Sequence, residues 1–102
     1  MSTTHKRTKN HDHNKCVVCG LDHNLTIDHI VPRSKGGKDK PKNLMTLCFK
    51  CNQEKANLDP WTWLCKLPEF VRNRLETRIN VAIFFNEPKE LHLNFGYMMT
   101  WC

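Results

Sequence analysis

Two Cys-x-x-Cys pairs constrain this chain more than any other feature of its sequence. Cys16 and Cys19 form the first pair, Cys48 and Cys51 form the second, and residues 20–47 separate them. Four thiolates in two such pairs match tetrahedral structural zinc, with Zn–S distances of ~2.3 Å. One ion would close the intervening loop and staple a small domain. A role as small core hydrophobes does not explain the paired spacing.

Length and composition limit the classes of protein that the chain can represent. A chain of 102 residues with 39% hydrophobic residues predicts one folded domain, with room for an extension. No apolar run approaches the ~18 residues of a membrane span. The polar start at residues 1–7 does not match a secretory signal, so we expect a cytoplasmic, reducing location. In that setting paired cysteines indicate metal rather than disulfides.

The net charge of +6 is concentrated in the first half of the chain. Residues 1–55 hold 11 Lys and Arg against 5 Asp and Glu, whereas residues 56–102 hold 5 against 5. A basic surface beside the cysteine pairs predicts a polyanionic partner, of which nucleic acid is the commonest. An ordinary solvated surface is the alternative that charge alone leaves open.

Local patterns divide the chain into three parts. Residues 1–14 have no apolar periodicity and predict a flexible basic arm. Residues 15–57 contain an apolar strand at 25–31, a Gly- and Pro-marked loop, a return strand at 43–47 and a helix from Cys48 to about Asn57. Residues 58–102 predict a mainly helical extension, with Asp59-Pro60 as a helix start.

An Asp-His pair, Asp28-His29, interrupts the first apolar strand. Successive side chains of a strand point to opposite faces, so the two residues cannot serve one surface together. A division of labour between a metal-binding carboxylate and a general base is one interpretation. A satisfied surface pair on a hairpin is the other.

The chain resembles the HNH endonucleases, the ββα-metal or His-Me finger nucleases, over about residues 16–57. The matching stretches are Cys16-x-x-Cys19-Gly20, Asp28-His29-Ile30-Val31-Pro32-x-Ser34-x-Gly36-Gly37, Asn43-Leu44 and Leu47-Cys48-x-x-Cys51-Asn52-x-x-Lys55. The resemblance implies an α+β fold, namely a small zinc-stabilised ββα-metal module followed by the helical extension. It also implies hydrolysis of DNA phosphodiester bonds to a 3′-hydroxyl and a 5′-phosphate.

Roles for individual residues follow from the same resemblance. His29 would be the general base that takes a proton from the attacking water. Asp28 would bind a catalytic divalent ion distinct from the zinc, and Asn43 would brace the hairpin that holds the base. Many members have His directly after the last Cys, whereas this chain has Asn52.

The Asn52 variant resembles a subgroup that includes phage Holliday-junction resolvases, in which an Asp and an Asn hold the metal. Two oxygen ligands suit Mg²⁺ or Mn²⁺ better than a second zinc. We therefore expect Asp28 and Asn52 to hold Mg²⁺ or Mn²⁺, and the compact form resembles phage-encoded members that act in a bacterial host. A helix-capping role is the alternative for Asn52.

Cations near the hairpin are candidate contacts to DNA phosphates, and the apolar extension is a candidate contact to protein. The candidate phosphate contacts are Arg33, Lys35, Lys38, Lys50 and Lys55. Apolar side chains of residues 58–102 predict packing against the module or, alternatively, a dimer or partner contact. A non-catalytic zinc finger that binds nucleic acid and a structural adaptor are the alternative functions.

Overall fold

A two-stranded antiparallel hairpin followed by a short helix forms the centre of the molecule. The computed structural model describes residues 3–86. Its elements are α1 (Thr3–His11), β1 (Leu25–His29), β2 (Leu44–Cys48), α2 (Phe49–Lys55), α3 (Pro60–Cys65) and α4 (Glu69–Asn86), with 3-10 turns at Arg33–Lys35 and Pro41–Asn43. The fold is α+β, as predicted, and β1, β2 and α2 supply the ββα order.

The two strands of the hairpin pair along their full length. Leu25 pairs with Cys48 and His29 pairs with Leu44. All five residues of β2 are buried, whereas β1 is half-buried along its length. β2 is therefore the interior strand of the domain, and β1 keeps its side chains closer to solvent.

The two helices after the module cover its core, as the sequence predicted. Asp59 caps α3 by accepting a hydrogen bond from the Thr62 N–H at 3.1 Å, with Pro60 in the first turn. Along α4, buried side chains recur at helical spacing. The core includes Ile30, Met45, Leu47, Trp61, Trp63, Leu64, Val71, Leu75, Ile79 and Ile83. Phe70, one of the apolar side chains of this extension, is instead 69% exposed.

The segment predicted to be a flexible arm is a helix, and this corrects the prediction for residues 3–11. α1 has no apolar stripe, yet Thr8 is buried and Asp12 follows the helix as a buried carboxylate. Asp12 Oδ2 accepts hydrogen bonds from the Thr46 backbone N–H at 2.9 Å and from Arg78 Nη2 at 3.1 Å, while Oδ1 accepts one from Arg78 Nη1. One carboxylate thus joins the end of α1 to β2 and α4.

Residues 87–102, which complete the predicted extension, lie outside the described residues. Within residues 3–86, no helix is long and apolar enough to cross a membrane.

Candidate active site and metal centre

Four cysteine sulfurs converge where the first loop meets the end of the hairpin. Cys16 and Cys19 lie in a turn closed by a hydrogen bond from the Gly20 N–H to the Cys16 carbonyl, and Gly20 adopts a φ of +80°. Cys48 ends β2 and Cys51 lies in the first turn of α2. The four sulfurs lie within 4.8 Å of one another. They meet the donor set and spacing that a tetrahedral ion such as zinc requires.

The sulfur positions are close to those around a bound ion. Cys19 Sγ and Cys48 Sγ are 3.7 Å apart. Tetrahedral zinc with Zn–S bonds of ~2.3 Å separates its sulfurs by ~3.8 Å. The hairpin and helix therefore bring the thiols to coordinating distance.

Cys16 and Cys51 differ in how readily their thiols ionise. Burial disfavours the Cys16 thiolate, but hydrogen bonds from the backbone of Cys19 and Cys48 outweigh it and lower the Cys16 pKa to about 7. Burial and the neighbouring Cys48 sulfur raise the pKa of Cys51 well above its usual range. The Cys16 thiolate forms readily, and its negative charge then disfavours ionisation of the neighbouring thiols. A divalent cation bound between the sulfurs removes this repulsion.

His29, the last residue of β1, is held by a loop carboxylate that sequence reasoning missed. Its Nε2 lies 3.1 Å from Oδ1 of Asp39, and the His29 side chain is only 17% exposed. A carboxylate accepts hydrogen bonds, so Nε2 carries the hydrogen and donates it. In the neutral imidazole the lone pair then resides on Nδ1. The only sequence signal for Asp39 is an acidic residue within a lysine-rich loop.

Asp28 pairs with a fully buried lysine. Lys55 Nζ lies 3.1 Å from Asp28 Oδ2 and donates to the His29 carbonyl at 3.0 Å. Lys55 has no exposed surface, and its ammonium lies 5.7 Å from the centroid of a Trp63 ring. The prediction that Lys55 contacts DNA phosphates therefore fails in this arrangement, since its charge is directed at the candidate site from within.

The pairing of Asp28 with Lys55 is an ion pair rather than an aligned hydrogen bond. Asp28 Oδ2 is buried and, among residues 3–86, has no hydrogen-bond partner of acceptable geometry. The separation of 3.1 Å from Lys55 Nζ still places the opposite charges in contact. Lys55 thus engages Oδ2, and the 20% exposed side chain leaves Oδ1 as the oxygen that a second cation can use.

Asn52 lies on the same side of β1 as Asp28, and its side-chain hydrogen bond within residues 3–86 is to Thr26. Asn52 Nδ2 donates to Thr26 Oγ1 at 2.8 Å, and that hydroxyl donates to the Leu47 carbonyl at 2.8 Å. The amide nitrogen must therefore face Thr26, which leaves its oxygen on the opposite end of the group. Thr26 and Asp28 are two residues apart on β1, so both face α2.

The capping alternative for Asn52 is wrong. The N-cap of α2 is Cys48, whose sulfur accepts a hydrogen bond from the Cys51 N–H. Asn52 lies inside the helix, one residue after Cys51.

Asn43 is fully buried and braces the loop that follows β1. Its Oδ1 accepts from the Val31 N–H at 2.8 Å, and its Nδ2 donates to the carbonyls of Val31 and Lys38 at 3.1 and 2.9 Å. A Cβ on Gly37 would lie 1.7 Å from the Val31 oxygen, so this close packing excludes any side chain at that position. The brace positions the loop that carries Asp39.

The remaining predicted phosphate contacts differ in their availability. Arg33, Lys35 and Lys50 are exposed. Lys38 is exposed but committed to α4, because its Nζ donates to the Phe85 carbonyl at 3.3 Å and its backbone N–H donates to Asn86 Oδ1 at 2.8 Å.

Comparison with known proteins agrees with this geometry. A family model described as HNH endonuclease matches residues 16–61. Two similar curated relatives are the CRISPR-associated endonucleases Cas9 of Actinomyces naeslundii, 34% identical over 59 residues, and of Corynebacterium diphtheriae, 38% identical over 53 residues. These alignments cover 52% and 48% of this chain, and the chain spans 5% of each relative's length. No solved structure matches the chain.

Proposed function

We propose that the chain carries an HNH endonuclease domain at residues 16–61, where the family model matches, and that it is a metal-dependent DNA endonuclease. The observation that carries the proposal is the imidazole of His29 at the end of β1, which the Asp39 carboxylate orients, with the Asp28 carboxylate on the preceding residue of the strand. Phosphodiester hydrolysis needs a base near neutral pH and positive charge at the phosphate, and the site has groups for both.

His29 acts as general base through Nδ1 in this proposal. Asp39 fixes the tautomer by accepting the Nε2 hydrogen, and its negative charge stabilises the imidazolium that forms when Nδ1 takes a proton from water. Asn43 keeps the loop and therefore Asp39 in register with His29. The base is thus oriented by the hairpin loop before any substrate binds.

Asp28 and Asn52 would hold the catalytic ion. The Asp28 carboxylate, whose Oδ1 is not engaged by Lys55, and the Asn52 amide oxygen turned away from Thr26 are hard donors on one side of β1. Oxygen donors of this kind suit Mg²⁺ or Mn²⁺, which would supply Lewis-acid stabilisation of the phosphate. Lys55 restrains the Asp28 carboxylate from the interior side.

Exposed cations around the hairpin would contact the DNA backbone. Arg33, Lys35 and Lys50 present their charges to solvent on the half of the chain that holds the whole charge excess. A cytoplasmic site of action, a phage origin and a partner contact through residues 58–102 belong to the proposal as well.

The test is cleavage of supercoiled plasmid by zinc-loaded protein with added Mg²⁺ or Mn²⁺. We expect wild type to nick or cut, and His29→Ala to lower the rate by about 10²–10⁴-fold because the base is gone. His23→Ala is the matched control, since His23 also pairs with an adjacent carboxylate at 3.1 Å but is exposed. It should cleave like wild type.

Two outcomes would contradict the proposal. The first is a wild type that binds DNA without cutting under either ion, which favours the non-catalytic zinc-finger module. The second is a folded His29→Ala protein as active as His23→Ala.

A further inference from the structure

A basic cleft lies outside the residues that the proposed chemistry uses. It has a volume of about 590 Å³ and is bounded by α1, the Pro41–Asn43 turn and α4. Its lining includes Arg7, His11, Lys42, Arg74 and Arg78, and none of its lining residues is acidic. We call these residues and the space between them the α1–α4 cleft.

The cations of the α1–α4 cleft are not equally available. Arg78 is compensated by Asp12 and also donates to the Leu44 carbonyl at 2.9 Å. Arg74 Nη2 donates to the Val17 carbonyl at 2.7 Å, which fixes the guanidinium without neutralising its charge. Among residues 3–86, Arg7, Lys42 and Arg74 form no ion pair with a carboxylate. Within the described residues the cleft therefore keeps three positive charges without a carboxylate partner, one of which, Lys42, lies 5.7 Å from the centroid of the Phe85 ring.

Two features of the α1–α4 cleft indicate a binding site for an anion rather than an ordinary solvated surface. Arg74 is ordered in advance by a backbone carbonyl, which lowers the entropy cost of binding. Arg7 and Lys42 come from segments far apart in the chain, yet they line one concavity without an acidic neighbour. Like charges gathered in this way repel each other, and a bound anion relieves the repulsion.

We infer that the α1–α4 cleft binds the phosphodiester backbone of DNA at a point away from the scissile phosphate. The inference rests on the proposed function for the identity of the polyanion. Lys42 immediately precedes Asn43, which braces the loop beside His29, so the cleft and the candidate site share one structural element. The helix α1 is then part of the DNA-binding surface.

The test measures DNA affinity without cleavage. Zinc-loaded His29→Ala protein, without Mg²⁺ or Mn²⁺, is titrated against a labelled DNA duplex in fluorescence anisotropy at several salt concentrations. We expect the added substitutions Arg7→Glu and Lys42→Glu to weaken DNA binding at least about tenfold near 0.1 M salt. The slope of the logarithm of the binding constant against the logarithm of the salt concentration should fall by about 2, since each lost phosphate contact lowers it by about one.

The matched control changes the same net charge elsewhere. Lys66→Glu with Arg72→Glu alters two cations that do not line the cleft. Both double variants should retain their zinc content and far-UV circular dichroism. Equal weakening by the two pairs would overturn the inference, because net charge alone would then explain the loss; so would unchanged binding in the Arg7 and Lys42 variant.

Inorganic phosphate separates a small-anion site from a DNA site. Phosphate is titrated into the protein while the NMR resonances of Arg7 and Lys42 are followed. The DNA inference is overturned if phosphate saturates the cleft and shifts these resonances while the Arg7→Glu, Lys42→Glu variant binds DNA like its parent. The readout is binding, so a wild type that never cuts plasmid but loses affinity through this variant supports the cleft while contradicting the proposed nuclease.

Discussion

Lys55 carries its charge at a position with no exposed surface. Desolvating an ammonium costs several kcal/mol, and here the Asp28 carboxylate, the His29 carbonyl and the Trp63 ring offset that cost. The lysine contacts one candidate metal ligand and the backbone of the candidate base. Its role is therefore to hold two neighbouring residues of β1 in position from the interior.

Replacing Lys55 with methionine should destabilise the protein by about 1–3 kcal/mol, because the Asp28 charge loses its partner while part of it remains accessible to water. The Asp28 side chain is 20% exposed, which keeps the loss below the ~3–5 kcal/mol typical of fully buried pairs. Urea unfolding of zinc-loaded protein measures the change.

Lys50→Met is the control for the Lys55 substitution, since Lys50 is exposed and should change stability by less than about 0.5 kcal/mol. In a double-mutant cycle, adding Asp28→Asn should cost less in the Lys55→Met background than in wild type. Additive losses would show that the ion pair is not the cause.

At the scale of elements, α1 shows how a polar segment acquires a fixed structure. Its sequence has no apolar stripe, and short isolated helices are marginal in water. Its order derives from burial of Thr8 and from the Asp12 carboxylate, which binds Thr46 and Arg78. Tertiary contacts therefore stabilise α1 in place of intrinsic helix preference.

Asp12→Ala should destabilise the protein by about 2–4 kcal/mol, since the Thr46 N–H loses its acceptor and half-buried Arg78 loses its counter-ion. Trypsin should also cleave after Lys6, Arg7 and Lys9 faster than in wild type, because α1 would detach more often. Urea unfolding and mass spectrometry of the digests measure the two effects.

The exposed Asp22 provides the comparison for Asp12. Asp22→Ala removes an exposed carboxylate whose ion pair within residues 3–86 is with neighbouring His23, and it should leave both stability and digestion close to wild type. If trypsin cleaves α1 at the same rate in the Asp12→Ala and Asp22→Ala variants, the buried carboxylate does not order the helix.

Local chemistry made the hairpin, the cysteine cluster and the α3 cap predictable. Each of these structures is indicated by a few neighbouring residues, namely Asp59-Pro60, the cysteine spacing and the apolar run of β1. The pairs His29–Asp39, Asp28–Lys55 and Asp12–Arg78 were not predictable, because each depends on where distant segments pack. The sequence therefore indicated the candidate site residues better than the partners that position them.

At the scale of the whole molecule, the cysteine cluster and α4 hold the ββα unit from two directions. The four sulfurs join the first loop to the hairpin end, and Arg74 of α4 donates to the Val17 carbonyl inside the first cysteine turn. Trp61 and Trp63 lie in the core, together with cysteines of the cluster and buried side chains of α4. Loss of the ion should therefore disturb the packing around both indoles.

Removing the metal with a strong chelator should abolish cooperative unfolding and the near-UV signal of the buried tryptophans, because unshielded thiols no longer close the loop. Added Zn²⁺ should restore both, whereas added Mg²⁺ should not. Near-UV circular dichroism and elemental analysis measure the result, with one zinc per folded chain expected.

A chelated protein that keeps its cooperative transition would contradict a structural role for the cluster. So would metal-loaded Cys51→Ala protein with wild-type stability, because that substitution removes one of the four converging sulfurs.

The Asp12–Arg78 contact also has a consequence for the order in which a ribosome can complete this fold. Asp12 is synthesised 66 residues before the arginine that compensates it. The cysteine turn, the hairpin and α2 are all translated within that interval, so the candidate site can assemble on the nascent chain first. Although α1 is made before the ββα unit, it gains its counter-ion only when Arg78 of α4 has emerged, and it is therefore secured after that unit.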